Sequence, residues 1–325
     1  MAEGASAQEV ASLTVAPISA IIPTKDRALV LQRTLASLSA QNVLPAELIV
    51  IDASSDQRSR LAVEQFAAMV EARGCNVRWQ AASIAGAAAQ RNQAIALAGQ
   101  PLVGFMDDDI LFEPHCIERL WQALDRDPGL GGVNALITNQ YYQPPGWVSR
   151  TMFRIMAGKH EKSYAGRILG PAVNLLPEDD TRLPEVVPVE WLNLGATVYR
   201  RSLLPNPPFE AFFTGYSLGE DIALSLKVGA RARLANVRTA RIFHDSQPAD
   251  YKADPVALSR MALANRHHVM TQVLCRRGLA DHARLVLWEL FQLANAAWTN
   301  RLGPSFWRML YGKLLAIGDI IRGGR

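Results

Sequence analysis

Three consecutive carboxylates, Asp107, Asp108 and Asp109, follow the apolar run LVGFM directly. Carboxylates this close repel one another and are costly together unless a cation or a hydrogen-bond network compensates them. Divalent Mg2+ or Mn2+ takes oxygen ligands and commonly joins one or two carboxylates to phosphate groups. The triplet therefore reads either as a metal and phosphate site or as a solvated loop whose first acid caps the helix that follows. A second acidic pair, Glu220 and Asp221, opens a helical stretch after Gly215 and Gly219. The helix dipole favours acids in a first turn, so capping competes there with a role as general base. Arg91, in an Ala-rich stretch after Gly86, is a candidate phosphate partner or an ordinary surface arginine. No G-x-G-x-x-G follows the first apolar run and no G-x-x-x-x-G-K-[ST] occurs anywhere. A nucleotide bound here would have to be held by side chains and a metal instead of a glycine-rich cradle.

The elements that must position these residues alternate in type. Apolar strand patterns at 18–22, 47–52, 76–79 and 102–106 are separated by helical patterns ending near residue 41, at 57–73 and at 86–98. A β-α-β series with helices of this length implies a parallel sheet with right-handed crossovers, and ligands then bind beyond the carboxyl ends of the strands. Polar residues stand at those ends: Thr24 and Asp26 after the first strand, Asp52 at the end of the second, Asp107 to Asp109 after the fourth. Residues 140–187, rich in Pro, Gly and mixed charge, read as a variable loop region over the site. Strand-like alternation returns at 187–198, a helix fits 220–228, and a strand at 235–243 ends at His244. From about 256 onward the pattern is helical, at 257–277, 280–300 and 304–322.

Composition bounds the rest. With 325 residues, 49% apolar and 20% charged, the chain is a globular protein of one large domain or two, not a disordered or collagen-like one. Cys75, Cys116 and Cys275 lie too far apart for a C-x-x-C site or a disulfide framework, which points to a reducing cytoplasm. The first 17 residues do not read as a signal peptide, and no apolar run is long enough to predict a transmembrane helix. The net charge of +4 is uneven: residues 255–325 carry +7 and residues 1–254 carry −3. A basic tail on a slightly acidic body argues against nucleic acid and for a local contact with an anionic surface or partner.

As an ordered set, these residues resemble glycosyltransferase family 2, the inverting nucleotide-sugar transferases of the GT-A fold. The resemblance runs from Ile18 to about His244. It is carried by IIPTKDR at 21–27, Asp52-Ala53-Ser54-Ser55 in place of a D-D-G-S-like turn, Gly86 through Gln90-Arg91-Asn92 in place of G-x-x-x-A-R-N, the FMDDD element, Gly195 through Arg201 in place of G-A-x-x-x-R-R, and Gly219-Glu220-Asp221. It implies a Rossmann-like α/β fold with a mixed, mainly parallel sheet flanked by helices and a helical C-terminal extension. The catalytic domain would span 1–254, with a nucleotide-sugar half at about 16–130 and an acceptor half at about 131–254; the basic extension would span 255–325.

The resemblance also implies site roles. Pro23, Thr24, Asp26, Arg27, Asp52, Gly86, Arg91, Asp107 and Asp108 would line the nucleotide-sugar site, with Asp52 toward the nucleobase. Asp109, joined by His244, would meet a Mg2+ or Mn2+ ion, although a structural role for His244 stays equally open. Asp221 would be the base that takes the proton from the acceptor hydroxyl, with Glu220 beside it in the catalytic pair. The implied activity is metal-dependent transfer of one sugar from a nucleoside-diphosphate sugar to a saccharide or lipid-linked saccharide in cell-surface glycan synthesis. Ala53 replaces a usual second acid and leaves the nucleobase open, and the lack of a Q-x-x-R-W element argues against a processive synthase. The rivals are a sugar-1-phosphate nucleotidyltransferase, which would need a glycine-rich loop where IIPTKDR stands, and a silent sugar-binding or scaffold subunit, against which the intact DDD and ED elements count.

For the tail three readings stand: packing on the catalytic domain, a homodimer contact, or peripheral contact with the inner face of the plasma membrane. Phe306, Trp307, Leu310, Leu314, Ile317 and Ile321 interleave with Arg308, Lys313 and Arg322, the pattern of a basic amphipathic helix. Arg266 interrupts an apolar stripe formed by Leu258, Ala262, Val269 and Val273. His267, His268 and His282 match no ligand spacing.

Overall fold

The computed structural model describes residues 15–247 and 254–323. Residues 1–14, which do not read as a signal peptide, and residues 248–253, just before the expected boundary at 254, lie outside them. Strands β1 (Val15–Thr24), β2 (Leu44–Asp52), β3 (Asn76–Ala81) and β4 (Leu102–Met106) alternate with helices α1 (Ala28–Ser39), α2 (Arg58–Val70) and α3 (Ala87–Ile95). There follow β5 (Ile110–Phe112), α4 (Cys116–Arg126), β6 (Leu130–Ile137), α5 (Trp147–Ala157), a hairpin of β7 (Ile168–Leu169) and β8 (Val173–Asn174), β9 (Val186–Val189) and β10 (Ala196–Arg200). The chain continues through α6 (Glu220–Gly229) and β11 (Arg233–His244) to α7 (Pro255–His268), α8 (Leu279–Asn300) and α9 (Pro304–Ile321).

The main sheet runs β3-β2-β1-β4-β10-β6-β11-β5, with β9 also paired to β11. β1 is parallel to β2 and β4, β2 to β3, and β6 to β11, whereas β10 runs antiparallel to both its neighbours. The sheet is mixed and mainly parallel, and both its faces are covered. Along β1, Ile18, Ala20 and Ile22 pack into one core with Leu31, Leu35 and Leu38 of α1 and Phe66 of α2, while Ile21 turns to the other core with Ala94 of α3 and Ile222 of α6. Burial on both faces is why these strands read as continuous apolar runs without alternation.

Three parts differ from the sequence reading. The loop region at 140–187 contains α5 and the β7–β8 hairpin. The stretch at 187–198 is two strands, β9 and β10, separated by a segment that buries Trp191 and Leu192 in the second core. β6, LGGVNALI, is fully buried and sits in the middle of the sheet; its two glycines and one asparagine weaken any strand signal.

The three C-terminal helices pack on one another and on the domain. A Cβ on Gly312 of α9 would stand 2.3 Å from the Val256 carbonyl oxygen of α7, so the two helices meet backbone against backbone. Glu289 of α8, itself buried, pairs with Arg266 of α7 and Lys313 of α9. Arg266, which interrupts an apolar stripe, and Lys313, which the sequence pattern placed on a basic face, thus share one internal carboxylate, so Lys313 is buried and not part of a solvated basic face. Towards the domain, Asn265 donates to the Leu218 carbonyl at 2.6 Å, His268 meets Glu210 at 2.7 Å, and Arg276 donates to the Gly170 carbonyl at 2.6 Å. No helix among the described residues is long and apolar enough to cross a membrane.

Candidate active site

Register brings the acidic residues to one edge of the sheet. Pairing of β1 with β2 sets Thr24 opposite Asp52, and pairing of β1 with β4 sets Ile21 opposite Phe105, so Thr24 adjoins the residues just beyond Met106. There the Thr24 hydroxyl donates to Asp108 Oδ2 at 2.6 Å. The antiparallel pairing of β5 with β11 sets His244 opposite Ile110, next to Asp109. The Asp107 amide donates to the Gly195 carbonyl at 3.0 Å, which ties the triplet to the turn before β10.

The three acids point in different directions and have different work. Asp108 turns inward: it is buried, and its two oxygens accept from Thr24 and, at 2.7 Å, from Arg27 Nη1. Burial raises its carboxyl to about 7 against the charge of Arg27. Asp108 is therefore an internal clamp between β1 and β4. Asp109 accepts from the other guanidinium nitrogen of Arg27 at 2.7 Å, and its second oxygen lies 3.2 Å from His244 Nε2. Burial alone would raise Asp109, but the hydrogen bonds from His244 and Arg27 outweigh it and bring the carboxyl down to about 2. Asp107 is partly exposed and accepts from Arg91 Nη2 at 2.7 Å.

Arg91 is buried on α3, and its guanidinium joins two parts of the chain. One nitrogen meets Asp107; the other meets Glu220, at the start of α6. Asn92 anchors the same turn, with its side chain bonded both ways to the backbone of Phe209, at 2.7 and 3.1 Å. Burial pushes Glu220 up to about 8 despite the charge of Arg91, and Asp221 up to about 6 for the same reason. Asp221 Oδ1 also accepts from the Ile222 amide at 2.8 Å. Asp221 thus stands at a helix N-terminus with a proton affinity near the working range of a general base.

The remaining predicted positions line the same strand ends. Asp52 is buried and accepts from the Ser54 amide at 2.9 Å and Trp79 Nε1 at 3.1 Å. Asp26 has a left-handed φ of 53° and braces the facing loop: its amide donates to Ser54 Oγ at 2.7 Å, and its carboxylate accepts from the Ser55 amide at 3.2 Å. Pro23 precedes Thr24 on β1. Gly86 caps α3 with φ +142°, which a side chain would strain, and packs against the backbone of Gly215.

Two side chains that the sequence reading passed over complete the arrangement. Gln90 donates to the carbonyls of both Thr24 and Ile51, at 2.9 and 2.7 Å, tying together the ends of β1 and β2. Gln140 Nε2 lies 2.9 Å from His244 Nδ1 and donates to it, which favours the tautomer whose Nε2–H faces Asp109. Gln90 was visible as a departure where alanine is common; nothing in the sequence marked Gln140.

Asp109 and His244 fit a divalent cation that also binds phosphate. An ionised carboxylate and an oriented imidazole would supply two protein ligands, and an ion of this kind would complete its shell with phosphate oxygens and water. Among the described residues no group of three or more His, Cys, Asp or Glu is arranged to hold a metal without such help.

Residues 19–166 match the model of glycosyl transferase family 2. Over this stretch the chain is similar to the family 2 glycosyl transferases. No curated protein sequence matches the chain. Among solved structures, a mannosyltransferase from Pyrobaculum calidifontis in complex with GDP-Man and Mn2+ superposes with a TM-score of 0.52 at 16% identity, over 95% of this chain and 82% of that one. GalNAc-T7 with UDP, GalNAc and Mn2+ superposes with a TM-score of 0.53 at 14% identity, over 79% of this chain and 48% of that one. The glycosyl transferase domain thus has the GT-A fold. Its sheet edge places the acidic triplet, the Gly86–Arg91 turn and the Glu220–Asp221 pair together, as the charge pairs through Arg91 require.

Proposed function

We propose that this transferase is metal-dependent and inverting, and moves one sugar from a nucleoside-diphosphate sugar to a hydroxyl of a saccharide or lipid-linked saccharide acceptor in cell-surface glycan synthesis. One observation carries the reading: Arg91 links Asp107, beside the ionised Asp109 and His244, to the start of α6, where Asp221 is held near 6. Asp109 and His244 would hold a Mg2+ or Mn2+ ion, which neutralises charge growing on a departing diphosphate. Asp107, Thr24 and Asp52 would face the nucleoside, with Gly86 and Arg91 on the donor's path. Asp221 would take the proton from the acceptor hydroxyl as that oxygen attacks, and attack from the face opposite the diphosphate inverts the anomeric centre. Glu220 does not compete for this proton, because its contact with Arg91 keeps it inside the protein.

The solved structures with GDP-Man and with UDP, each with Mn2+, support a nucleotide-sugar donor and a divalent ion. The three cysteines are unpaired, two of them buried, which suits the cytoplasm. Residues 255–325 would bring the domain to a lipid-linked acceptor at the inner face of the plasma membrane. Turnover of a panel of UDP-, GDP- and dTDP-sugars with Mn2+ tests the function: one nucleotide class should be consumed and the activity lost on chelation, whereas no turnover of any donor would contradict the reading.

A further inference from the structure

α8 and α9 each leave an apolar face uncovered. On α8, Val286 and Leu290 are 57% exposed and Trp298 is 88% exposed; on α9, Trp307, Tyr311 and Leu314 are more than half exposed, and Ile321 continues their line at 79%. Their spacing places each set on one side of its helix. The opposite sides are the ones that pack, through Leu285, Trp288 and Glu289 of α8 and Gly312, Lys313 and Ala316 of α9. Large apolar side chains gathered on two adjoining helices exceed the scattered exposure normal for a protein surface.

The charges bordering these faces have one sign. Arg301 lies in the turn between the helices, and Arg308 and Arg322 follow Trp307 and Ile321 directly; all three are exposed. Every acid on the two helices is already engaged. Asp281 accepts from the Gly278 amide at 3.2 Å, Glu289 is buried between Arg266 and Lys313, and Asp319 pairs with Arg260 at 2.6 Å.

We propose that α8 and α9 form an interfacial anchor that seats the protein on an anionic bilayer. The apolar faces enter the boundary between headgroups and acyl chains, and Arg301, Arg308 and Arg322 meet lipid phosphates. Tryptophan and tyrosine suit that depth, where one end of the ring is apolar and the other wet. A second copy of the chain fits less well, because twofold packing sets a face and its arginines against themselves with no free acid on α8 or α9 to answer them. The anchor deepens the peripheral placement suggested above, and its test reads binding instead of transfer, so either can fail without the other.

The experiment is flotation of the full chain with vesicles of phosphatidylcholine, alone or mixed with phosphatidylglycerol. Binding should require the anionic lipid and weaken with salt. Arg308→Gln with Arg322→Gln should lower partition roughly 25-fold, at about fivefold per cation, and Leu290→Asp with Leu314→Asp should abolish it, while both pairs retain donor turnover. Quenching of tryptophan emission by brominated acyl chains in the unaltered protein needs no variant and should accompany binding. Failure to float at any composition, or equal binding to neutral vesicles, would overturn the proposal. So would a vesicle-free dimer that Leu290→Asp with Leu314→Asp converts to monomer, which would assign the faces to a second copy.

Discussion

The Arg91 cluster contains more negative charge than its cation can offset, and this has a measurable cost. One guanidinium faces Glu220, Asp107 and Asp221. Burial holds Glu220 at about 8 in the folded protein, while a glutamate in the unfolded chain titrates near 4.3. Between about pH 5 and pH 8 the native state therefore keeps a proton that the unfolded state has lost. Stability from this group is complete below the unfolded value and falls as pH rises, by up to about 1.4 kcal/mol per pH unit until the folded value is passed. Glu220→Gln keeps an oxygen for Arg91 and removes the titration. Urea unfolding of both proteins at about pH 5, 6, 7 and 8 should give similar stabilities at the acid end and a growing advantage for the variant as pH rises, approaching several kcal/mol. Titrations elsewhere, such as that of Asp108, are common to both proteins and cancel in the difference. Parallel stability curves would refute the reasoning, since they would mean that Arg91 keeps Glu220 ionised throughout.

Three further substitutions test other parts of the account. Asp109→Ala should weaken Mn2+-dependent donor binding by about 100-fold or more, because even outer partners of metal ligands are worth about 10 to 100-fold; calorimetric titration with and without Mn2+ checks this, and unchanged affinity would remove Asp109 from the metal site. Gln90→Ala removes the side-chain donor to the Thr24 and Ile51 carbonyls, of which Thr24 keeps the Ala53 amide at 2.9 Å, and should cost about 1–3 kcal/mol in chemical unfolding. Gly312→Ala forces a methyl group against the Val256 carbonyl and should cost about 1–3 kcal/mol by thermal unfolding.

The order of strands, helices and strand-end acids was legible because buried parallel strands are written as unbroken apolar runs ending in polar residues. β6 was not, because its glycines and asparagine hide a strand whose burial comes from neighbours far along the chain. Nor was the division of labour within the triplet. Adjacent acids look alike in sequence, and only the register of β1 on β4 and of β5 on β11 turns Asp108 inward to Thr24 and brings His244 to Asp109. In the tail, Arg266 read as a break in an apolar stripe and Lys313 as a cation of a basic amphipathic face, because their shared partner, Glu289, lies on a third helix. Periodicity describes one helix at a time and carries no signal for such a contact.

The most direct test of the proposed chemistry is the rate of sugar transfer by Asp221→Asn, measured with donor and Mn2+ at saturation. Asparagine keeps the size of the side chain and its oxygen toward the Ile222 amide but cannot take up a proton. Donor binding should be retained while transfer falls by about 10² to 10⁴-fold, the contribution expected of a general base. Transfer at close to the unaltered rate would contradict the role of Asp221 as base.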